Sequence, residues 1–179
     1  MKLVILDRDG VINFDSDQYI KSPAEWRPIP GSIEAIARLN QNGFRIAVAT
    51  NQSGIGRGLF DMGTLNAIND KMMEMVFRQG GRIDALFFCP HTADENCTCR
   101  KPRTGMLDEI AARFHTELKG VPSVGDSLKD LQAAEAVGAQ PILVLTGKGA
   151  KTREEGGLPK KTAVYENLAE ATRHLIATA

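Results

Sequence analysis

Two carboxylates stand one residue apart near the start of the chain, in the sequence Asp7-Arg8-Asp9-Gly10. They follow Leu3–Leu6, a short apolar run of the kind that forms a buried strand. Side chains alternate along a strand with a period of two, so Asp7 and Asp9 would face the same crevice. Such a pair suits a divalent cation and chemistry on a phosphate, whereas Asp-x-Asp-Gly can also form an ordinary turn.

Polar side chains also follow the next three strands that the sequence predicts. Thr50-Asn51-Gln52-Ser53 comes after the second strand, Cys89-Pro90-His91 after the third, and Gly125-Asp126 after the fourth. In an open α/β sheet, ligands bind outside the carboxyl ends of the strands. The sequence therefore predicts that these groups meet at one edge of a sheet.

A second cluster contains every cysteine of the chain: Cys89, Cys97 and Cys99 fall within eleven residues, with His91 among them. Three thiols and one imidazole suit tetrahedral Zn²⁺, and four protein ligands would close its coordination shell. We therefore expect a structural zinc that pins a loop and delivers Arg100-Lys101-Pro102 to the edge of the site. An isolated cysteine is more often a small buried hydrophobe, but the clustering argues against that alternative.

Strands and helices alternate along the chain, which predicts a three-layer α/β/α, Rossmann-like fold with a central parallel sheet. The predicted strands are Leu3–Leu6, Arg45–Ala49, Ala85–Phe88, Pro122–Val124 and Ile142–Leu145, with Ala163–Tyr165 as a weaker candidate. The predicted helices are Ser32–Asn40, Gly63–Arg78, Met106–Phe114, Leu128–Val137 and Leu168–Ala177. No repeat or low-complexity linker interrupts this pattern, so we expect one domain over residues 1–179.

The composition excludes several classes of protein. The chain has 22 basic and 22 acidic side chains, which argues against binding to nucleic acid or an anionic membrane by bulk electrostatics. No apolar run has the length of a membrane span or a signal peptide. Three clustered cysteines do not form a disulfide framework, so we expect a cytoplasmic protein. The near-neutral charge is compatible with a monomer.

Asp7-x-Asp9, Thr50-Asn51, Lys101 and the segment 125–130 together resemble the four motifs of the haloacid dehalogenase (HAD) superfamily of phosphotransferases. The resemblance implies that Asp7 is the nucleophile that becomes an aspartyl-phosphate, and that Asp9 is the general acid and base. It also implies that Thr50 and Asn51 bind the transferring phosphoryl group, while Lys101 offsets its charge.

The same resemblance implies a Mg²⁺ site formed by Asp7, the backbone carbonyl of Asp9, and Asp126, an all-oxygen set that suits a hard cation. Some of these residues also have simpler interpretations. Lys101 could be a solvated surface lysine, which is the usual environment of lysine. Ser127-x-x-Asp130 fits a helix capping box, so we assign Asp130 a supporting role rather than a catalytic one.

Within the superfamily, the zinc loop, the Asp-Arg-Asp-Gly sequence and residues 50–58 resemble the heptose-bisphosphate phosphatase family. The resemblance implies a phosphatase that removes the 7-phosphate of D-glycero-D-manno-heptose 1,7-bisphosphate, on the route to ADP-heptose for lipopolysaccharide. The histidinol-phosphate phosphatases are a sister family with the same zinc loop and remain an alternative. A zinc-stabilised binding module without activity is a third hypothesis, in which the aspartates are only turn residues.

The family resemblance also implies a set of substrate contacts. The sugar would contact the loop from Asp15 to Tyr19, and the remaining contacts would come from the strand ends and the segment after the zinc loop. The residues implied are Asp15, Gln18, Tyr19, Thr50, Asn51, Gln52, Ser53, Arg100, Lys101 and Ser127. Arg57 could meet a second phosphate or simply belong to a mobile glycine-rich loop. No insertion is large enough for a cap domain, so an open site is expected.

Overall fold

The computed structural model describes residues 1–179 and contains one six-stranded parallel sheet with the strand order β3-β2-β1-β4-β5-β6. The strands are β1 Lys2–Leu6, β2 Phe44–Asn51, β3 Ala85–Cys89, β4 Pro122–Gly125, β5 Gln140–Val144 and β6 Ala163–Tyr165. The helices are α1 Ser32–Gln41, α2 Met62–Arg78, α3 Gly105–Phe114, α4 Leu128–Ala136, α5 Gly149–Glu155 and α6 Leu168–Thr178. Short 3-10 turns occupy Pro23–Glu25 and Ala93–Glu95.

Helices cover both faces of the sheet, and strand β1 shows how. Val4 and Leu6 belong to a buried cluster shared with α1, α2 and α6, whereas Leu3 and Ile5 belong to a second cluster shared with α3 and α4. This division follows from the period of two along a strand, which sends alternate side chains to opposite faces. The predicted three-layer α/β/α fold is therefore confirmed, and the strand is apolar from Leu3 to Leu6 because both of its faces are buried there.

Strand β1 lies at the centre of the sheet, between β2 and β4. Leu6 is in register with Val48 on one side and Val124 on the other. The backbone N–H of Asp7 then donates to the Val124 carbonyl at 2.9 Å, so the chain is held on β4 until it leaves the sheet. The neighbouring strand ends therefore surround Asp7, as the sequence predicts.

Two differences from the sequence prediction bear on the site, and the ends of the other elements shift by at most two residues. Strand β2 continues to Asn51, because Thr50 and Asn51 still pair with Phe88 and Cys89 of β3. Helix α5 was not predicted, since Gly149–Glu155 is polar and has no apolar periodicity. It is anchored instead by the Thr152 hydroxyl, which donates to the backbone carbonyl of Asp126 at 2.8 Å. None of the helices combines the length and apolar character required to cross a membrane.

Candidate active site

The carboxyl ends of the strands open into a cavity of about 460 Å³, and most of the residues that line it are polar. The lining contains most of the residues that the sequence proposed: Asp7, Asp9, Asp15, Tyr19, Thr50, Asn51, Gln52, Ser53, Arg100, Lys101, Asp126, Ser127 and Asp130. Gln18 is exposed and lies outside this lining, although it belongs to the loop expected to contact the sugar. The cavity is therefore the place where the predicted groups converge.

Asp7 is held at the floor of the cavity directly after β1. Its Oδ1 accepts a hydrogen bond from the Arg8 backbone N–H at 2.9 Å and lies 3.2 Å from Lys101 Nζ. Only 13% of its side chain is exposed. Burial and the nearby charge of Asp130 raise the pKa of Asp7 well above its usual range, although Lys101 opposes this shift. The carboxylate is thus fixed and desolvated but still reaches the cavity.

Lys101 is a buried cation that joins two carboxylates. Its Nζ donates to the Ala49 carbonyl at 2.7 Å and pairs with Asp130 Oδ1 at 2.7 Å, in addition to Asp7. Burial alone would lower the pKa of Lys101, but the carboxylates of Asp130 and Asp7 raise it well above its usual value. The lysine is therefore charged and immobile rather than solvated, which excludes the simpler interpretation of this residue.

Asp130 links this lysine to the start of helix α4. Its Oδ2 accepts from the backbone N–H of Ser127 at 3.1 Å and from the Ser127 hydroxyl at 2.9 Å, so the capping interaction is present. Burial would raise the pKa of Asp130, but Lys101 and these hydrogen bonds lower it below its ordinary value. One carboxylate thus caps a helix and positions the lysine, which suits the supporting role.

Asn51 has a contact that the sequence did not indicate. Its amide pairs with the backbone of Lys101 in both directions: Nδ2 donates to the Lys101 carbonyl at 3.2 Å, and Oδ1 accepts from the Lys101 N–H at 3.0 Å. These bonds join the end of β2 to a segment fifty residues later. Asn51 therefore fixes the backbone from which the lysine projects, whatever else it contacts.

Asp9 is held by three side chains around its two carboxylate oxygens. Oδ1 accepts from Arg8 Nε at 3.0 Å and from Asn13 Nδ2 at 2.9 Å, while Oδ2 accepts from Gln52 Nε2 at 3.0 Å. Gln52 Nε2 also lies 2.9 Å from Thr50 Oγ1. The bonds from Gln52 connect the end of β2 to the loop after β1, and they set the carboxyl group of Asp9 beside Thr50.

The carboxylates of Asp7, Asp126 and Asp130 each offer an oxygen within 4.8 Å of the others, which is a cluster that fits a cation. Asp126 is 3% exposed, and burial together with the charge of Asp130 raises the pKa of Asp126 to about 7. Negative charge thus accumulates at this position with Lys101 as its buried cationic partner. The donor set and its unbalanced charge fit Mg²⁺ held by Asp7 and Asp126.

Two glycines give Asp126 the space it occupies. A Cβ added at Gly10 would lie 2.0 Å from Asp126 Oδ2, and one added at Gly147 would lie 2.3 Å from the same oxygen. Both glycines have positive φ values, +86° and +55°. The oxygen also accepts the Lys148 backbone N–H at 2.9 Å. The loop before α5 therefore encloses this carboxylate, a contribution that the sequence motifs did not reveal.

The four predicted zinc ligands lie together, and the three cysteines are free. Cys89 Sγ is 2.7 Å from Cys99 Sγ and 3.5 Å from His91 Nδ1. Burial raises the pKa of Cys89. Burial would also raise the pKa of Cys97, but hydrogen bonds from the Arg100 N–H and the neighbouring thiols lower it to about 6. Thiolate is the form that binds metal, so the cluster fits a zinc ion.

The zinc loop contacts two segments that contribute to the cavity lining, through Arg57 and Arg100. A Cβ at Gly56 would lie 2.7 Å from the Pro90 carbonyl, so the glycine-rich loop after β2 packs closely on the segment that carries His91. Arg100 donates from its backbone N–H to Cys97 Sγ at 3.4 Å and from Nη1 to the His91 carbonyl at 3.3 Å. The cysteine–histidine cluster therefore directly supports the residue that precedes Lys101.

Three lysines of the cavity lining, and the contact between Arg57 and Tyr19, were not part of the sequence prediction. Lys148 Nζ lies 3.6 Å from Asp15 Oδ2, and the guanidinium of Arg57 lies 5.9 Å from the centre of the Tyr19 ring. Lysines at 129, 148 and 151 also line the cavity. No local motif marks these lysines, because Lys129 of α4, Lys148 before α5 and Lys151 of α5 reach the site only through the tertiary fold.

The parallel sheet, the carboxylates at the end of β1, and the lysine and acidic cluster opposite them define a HAD-type hydrolase. In agreement, a HAD-hydrolase-like family model matches residues 98–171. The chain is 56% identical over 176 residues to the D-glycero-β-D-manno-heptose-1,7-bisphosphate 7-phosphatase of Bordetella bronchiseptica, covering 98% of each chain. It is 52% identical to the enzyme of that name from Pseudomonas aeruginosa, covering 97% of each. The chain belongs to this family of heptose-bisphosphate phosphatases.

Solved structures support the same assignment. The D,D-heptose 1,7-bisphosphate phosphatase of B. bronchiseptica, crystallised with magnesium and phosphate, has a TM-score of 0.99 to this chain and covers 100% of both chains at 56% identity. The enzyme of the same name from Burkholderia thailandensis has a TM-score of 0.80 at 51% identity, covering 99% of both. The first of these shows that a close relative binds the cation and the anion that the present site fits.

Proposed function

We propose that this chain is a Mg²⁺-dependent phosphatase that removes the 7-phosphate of D-glycero-β-D-manno-heptose 1,7-bisphosphate. The observation that carries the chemistry is the buried Asp7 beside Lys101, facing a carboxylate cluster that fits a cation. The substrate rests on the names of relatives that are 50–56% identical over nearly the whole chain. They favour the heptose over histidinol phosphate and the β anomer over the α anomer.

The proposed reaction has two steps. In the first, an oxygen of Asp7 forms a bond to phosphorus, the bond from phosphorus to the ester oxygen breaks, and the carboxyl proton of Asp9 passes to that oxygen. The sugar then leaves with a hydroxyl group, and Asp9 is left ionised. In the second, Asp9 takes a proton from a water molecule that attacks the aspartyl-phosphate, which releases inorganic phosphate and restores both carboxyl groups.

Mg²⁺ would be held by Asp7, Asp126 and the backbone carbonyl of Asp9, and would offset negative charge on the phosphoryl oxygens. Lys101 contributes a fixed positive charge beside Asp7, and no reorganisation is needed because Asp130, Asn51 and the Ala49 carbonyl already hold it. Thr50 would supply a hydroxyl to the transferring group. The zinc would act as structural support for the loop that leads to Lys101.

A substrate with two phosphates needs positive charge away from the reacting end. Arg57, Arg100 and three lysines of the lining supply this charge at the cavity mouth. We assign the second phosphate to this side of the cavity, and the sugar hydroxyls to Asp15 and Tyr19. Gln18 is a weaker candidate, because it lies outside the lining.

The whole chain forms one phosphatase domain in this proposal, and a small phosphorylated sugar is the only partner we assign. Three free cysteines favour a reducing compartment, which supports the cytoplasm, and we expect a monomer.

A substrate panel tests the proposal. The purified protein with Mg²⁺ should hydrolyse the β anomer of heptose 1,7-bisphosphate with a higher kcat/KM than the α anomer, histidinol phosphate or p-nitrophenyl phosphate. A higher kcat/KM for histidinol phosphate would show instead that the chain is a histidinol-phosphate phosphatase. A folded Asp7→Asn variant should be inactive on every substrate, and full activity of that variant would exclude the aspartyl-phosphate route.

A further inference from the structure

Arg8 stands between the two aspartates of the proposed site, and its side chain is completely buried. Buried arginine is uncommon unless its charge is paired. Here the guanidinium Nε lies 3.0 Å and Nη2 lies 2.9 Å from the same oxygen, Oδ1 of Asp9. The third nitrogen, Nη1, donates to Oδ1 of Asn69 at 3.0 Å. Arg8 therefore joins the carboxyl group of Asp9 to helix α2, sixty-one residues away.

These contacts make the two oxygens of Asp9 unequal. Oδ1 faces two nitrogens of Arg8 and also accepts from Asn13 Nδ2 at 2.9 Å, so donors already surround it. Oδ2 faces the Gln52 amide at 3.0 Å, and Gln52 itself lines the cavity. Three donor nitrogens surround Oδ1, whereas Oδ2 accepts only from Gln52 and has room for a further partner. The geometry therefore fixes which oxygen is free to exchange a proton with a bound ligand.

We propose that Arg8 and Asn69 are positioning residues, which orient the Asp9 carboxyl so that the proton on Oδ2 meets the leaving oxygen. Asn69 sets the plane of the guanidinium, and the guanidinium then sets the rotation of the carboxyl group. Neither residue lines the cavity. This inference rests on the proposed function, because it assigns Asn69 a part in the proton transfer by Asp9.

The proton is needed most when the leaving oxygen is strongly basic. As the bond between phosphorus and the ester oxygen breaks, a sugar alkoxide must receive the proton of Asp9, which then becomes a carboxylate. The p-nitrophenolate ion is weakly basic and can leave without that proton. Mispositioning of Asp9 should therefore slow sugar phosphates far more than p-nitrophenyl phosphate, which a general loss of folding or of metal binding would not do.

The test compares kcat/KM for heptose bisphosphate and for p-nitrophenyl phosphate in Asn69→Leu, because kcat/KM reports the first step and not the hydrolysis of the aspartyl-phosphate, which both esters share. We expect kcat/KM for the sugar ester to fall by roughly 10- to 100-fold, within the usual contribution of general acid catalysis. For the aryl ester kcat/KM should fall by less than about 3-fold by the same reasoning. Asn69→Asp, which keeps an oxygen opposite Arg8 Nη1, should restore most of the loss. Asn66→Leu, at an exposed position of the same helix, is the matched control and should behave as the parent.

Equal losses on both esters, or no loss on the sugar ester, would overturn the positioning role. Should Asn69→Leu be unstable, Asn69→Ala removes the same acceptor with less bulk, and the same comparison of esters decides. Asp9→Asn belongs in the same panel and separates the two proposals. An Asp9→Asn variant that fails to discriminate between the esters contradicts the assigned role of Asp9. Discrimination by Asp9→Asn but not by the Asn69 variants contradicts only the part given to Asn69.

Discussion

Gly147 offers a sharp test of the cation site, because it touches Asp126 without being a ligand itself. An alanine Cβ at this position would lie 2.3 Å from Asp126 Oδ2 and 2.5 Å from the Gly10 Cα, whereas ordinary contacts are 3.4–4 Å. Asp126 must therefore move by about 1 Å, and metal sites tolerate only about 0.2 Å. The same shift would lengthen the 2.9 Å bond from the Lys148 N–H.

We expect Gly147→Ala to weaken Mg²⁺ binding at least about tenfold, the lower end of what altered support of a ligand costs. The measurement is the Mg²⁺ concentration that gives half-maximal phosphatase activity, with calorimetric titration of Mg²⁺ as a second readout. The backbone strain of alanine at a φ of +55° adds roughly 1–2 kcal/mol to the free energy of folding. The effect of this backbone strain must be distinguished from the effect of the steric contact between the new Cβ and Asp126.

Gly43→Ala is the matched control for the strain. Gly43 has a φ of +85°, a Cβ there would meet nothing within 4 Å, and the residue precedes β2 at the opposite edge of the sheet. It should lose a similar amount of stability and keep the Mg²⁺ dependence of the parent. If Gly147→Ala shares the Mg²⁺ dependence of Gly43→Ala, then Asp126 does not hold the cation and our reasoning about the cluster fails.

Three further predictions concern the zinc, the lysine and pH. Cys99→Ser should lower both the zinc content measured by metal analysis and the midpoint of thermal unfolding. The kcat should fall as well, because Arg100 donates a hydrogen bond to the His91 carbonyl of this loop. An unchanged midpoint would argue against a structural zinc. Asn51→Leu should reduce kcat by roughly tenfold without changing the stability of α4, because it removes two hydrogen bonds that fix the Lys101 backbone. Asn51→Asp should reduce kcat less. Equal kcat values in the parent and both variants would show that these hydrogen bonds do not contribute to catalysis. The raised pKa of Asp126, about 7, means that the folded chain binds more protons than the unfolded one above the ordinary carboxyl value, and the raised pKa of Asp7 acts in the same direction. The free energy of unfolding without Mg²⁺ should therefore fall by at least roughly 2–3 kcal/mol between pH 5 and pH 8. The pKa shifts of Asp130 (downward) and Lys101 (upward) act outside this pH window. With excess Mg²⁺, the free energy of unfolding measured by urea should depend less on pH over the same range. Parallel pH dependences with and without Mg²⁺ would contradict the assignment of Asp126 as a Mg²⁺ ligand.

Local patterns were sufficient for much of this fold. Apolar runs of strand length and helical spacing predicted the six strands and five of the six helices, because each of these elements buries a face whose period is visible in the sequence. Helix α5 has no such face, since Gly149 and Thr152 are its buried residues. Its position is set by contacts with the end of β5 and with Asp126, which no window of sequence contains.

The candidate site likewise has residues that the sequence predicted and contacts that it did not. Asp7 and Asp126 follow strands directly and Cys89 ends one, so the rule for parallel sheets brings them to one edge in advance, while the clustering of Cys97, Cys99 and His91 with Cys89 is visible in the sequence itself. The partners that hold them could not be foreseen: Asn69 reaches Arg8 from a helix, and Asn51 binds backbone rather than ligand. The contribution of Gly147 depends on a close approach between two loops. Such contacts depend on the packed structure, whereas the types and spacing of the candidate site residues can be recognised in the sequence.

The central position of β1 also has a consequence for synthesis on the ribosome. Asp126 lies 119 positions after Asp7, so at about 5–20 residues per second it emerges roughly 6–24 seconds later. During that interval Asp7 has no β4 to hold it, and for most of it no Lys101. Asp7 is thus made early but lacks most of the proposed site until late in synthesis, and a product truncated before Asp126 would carry the proposed nucleophile without the proposed cation ligand.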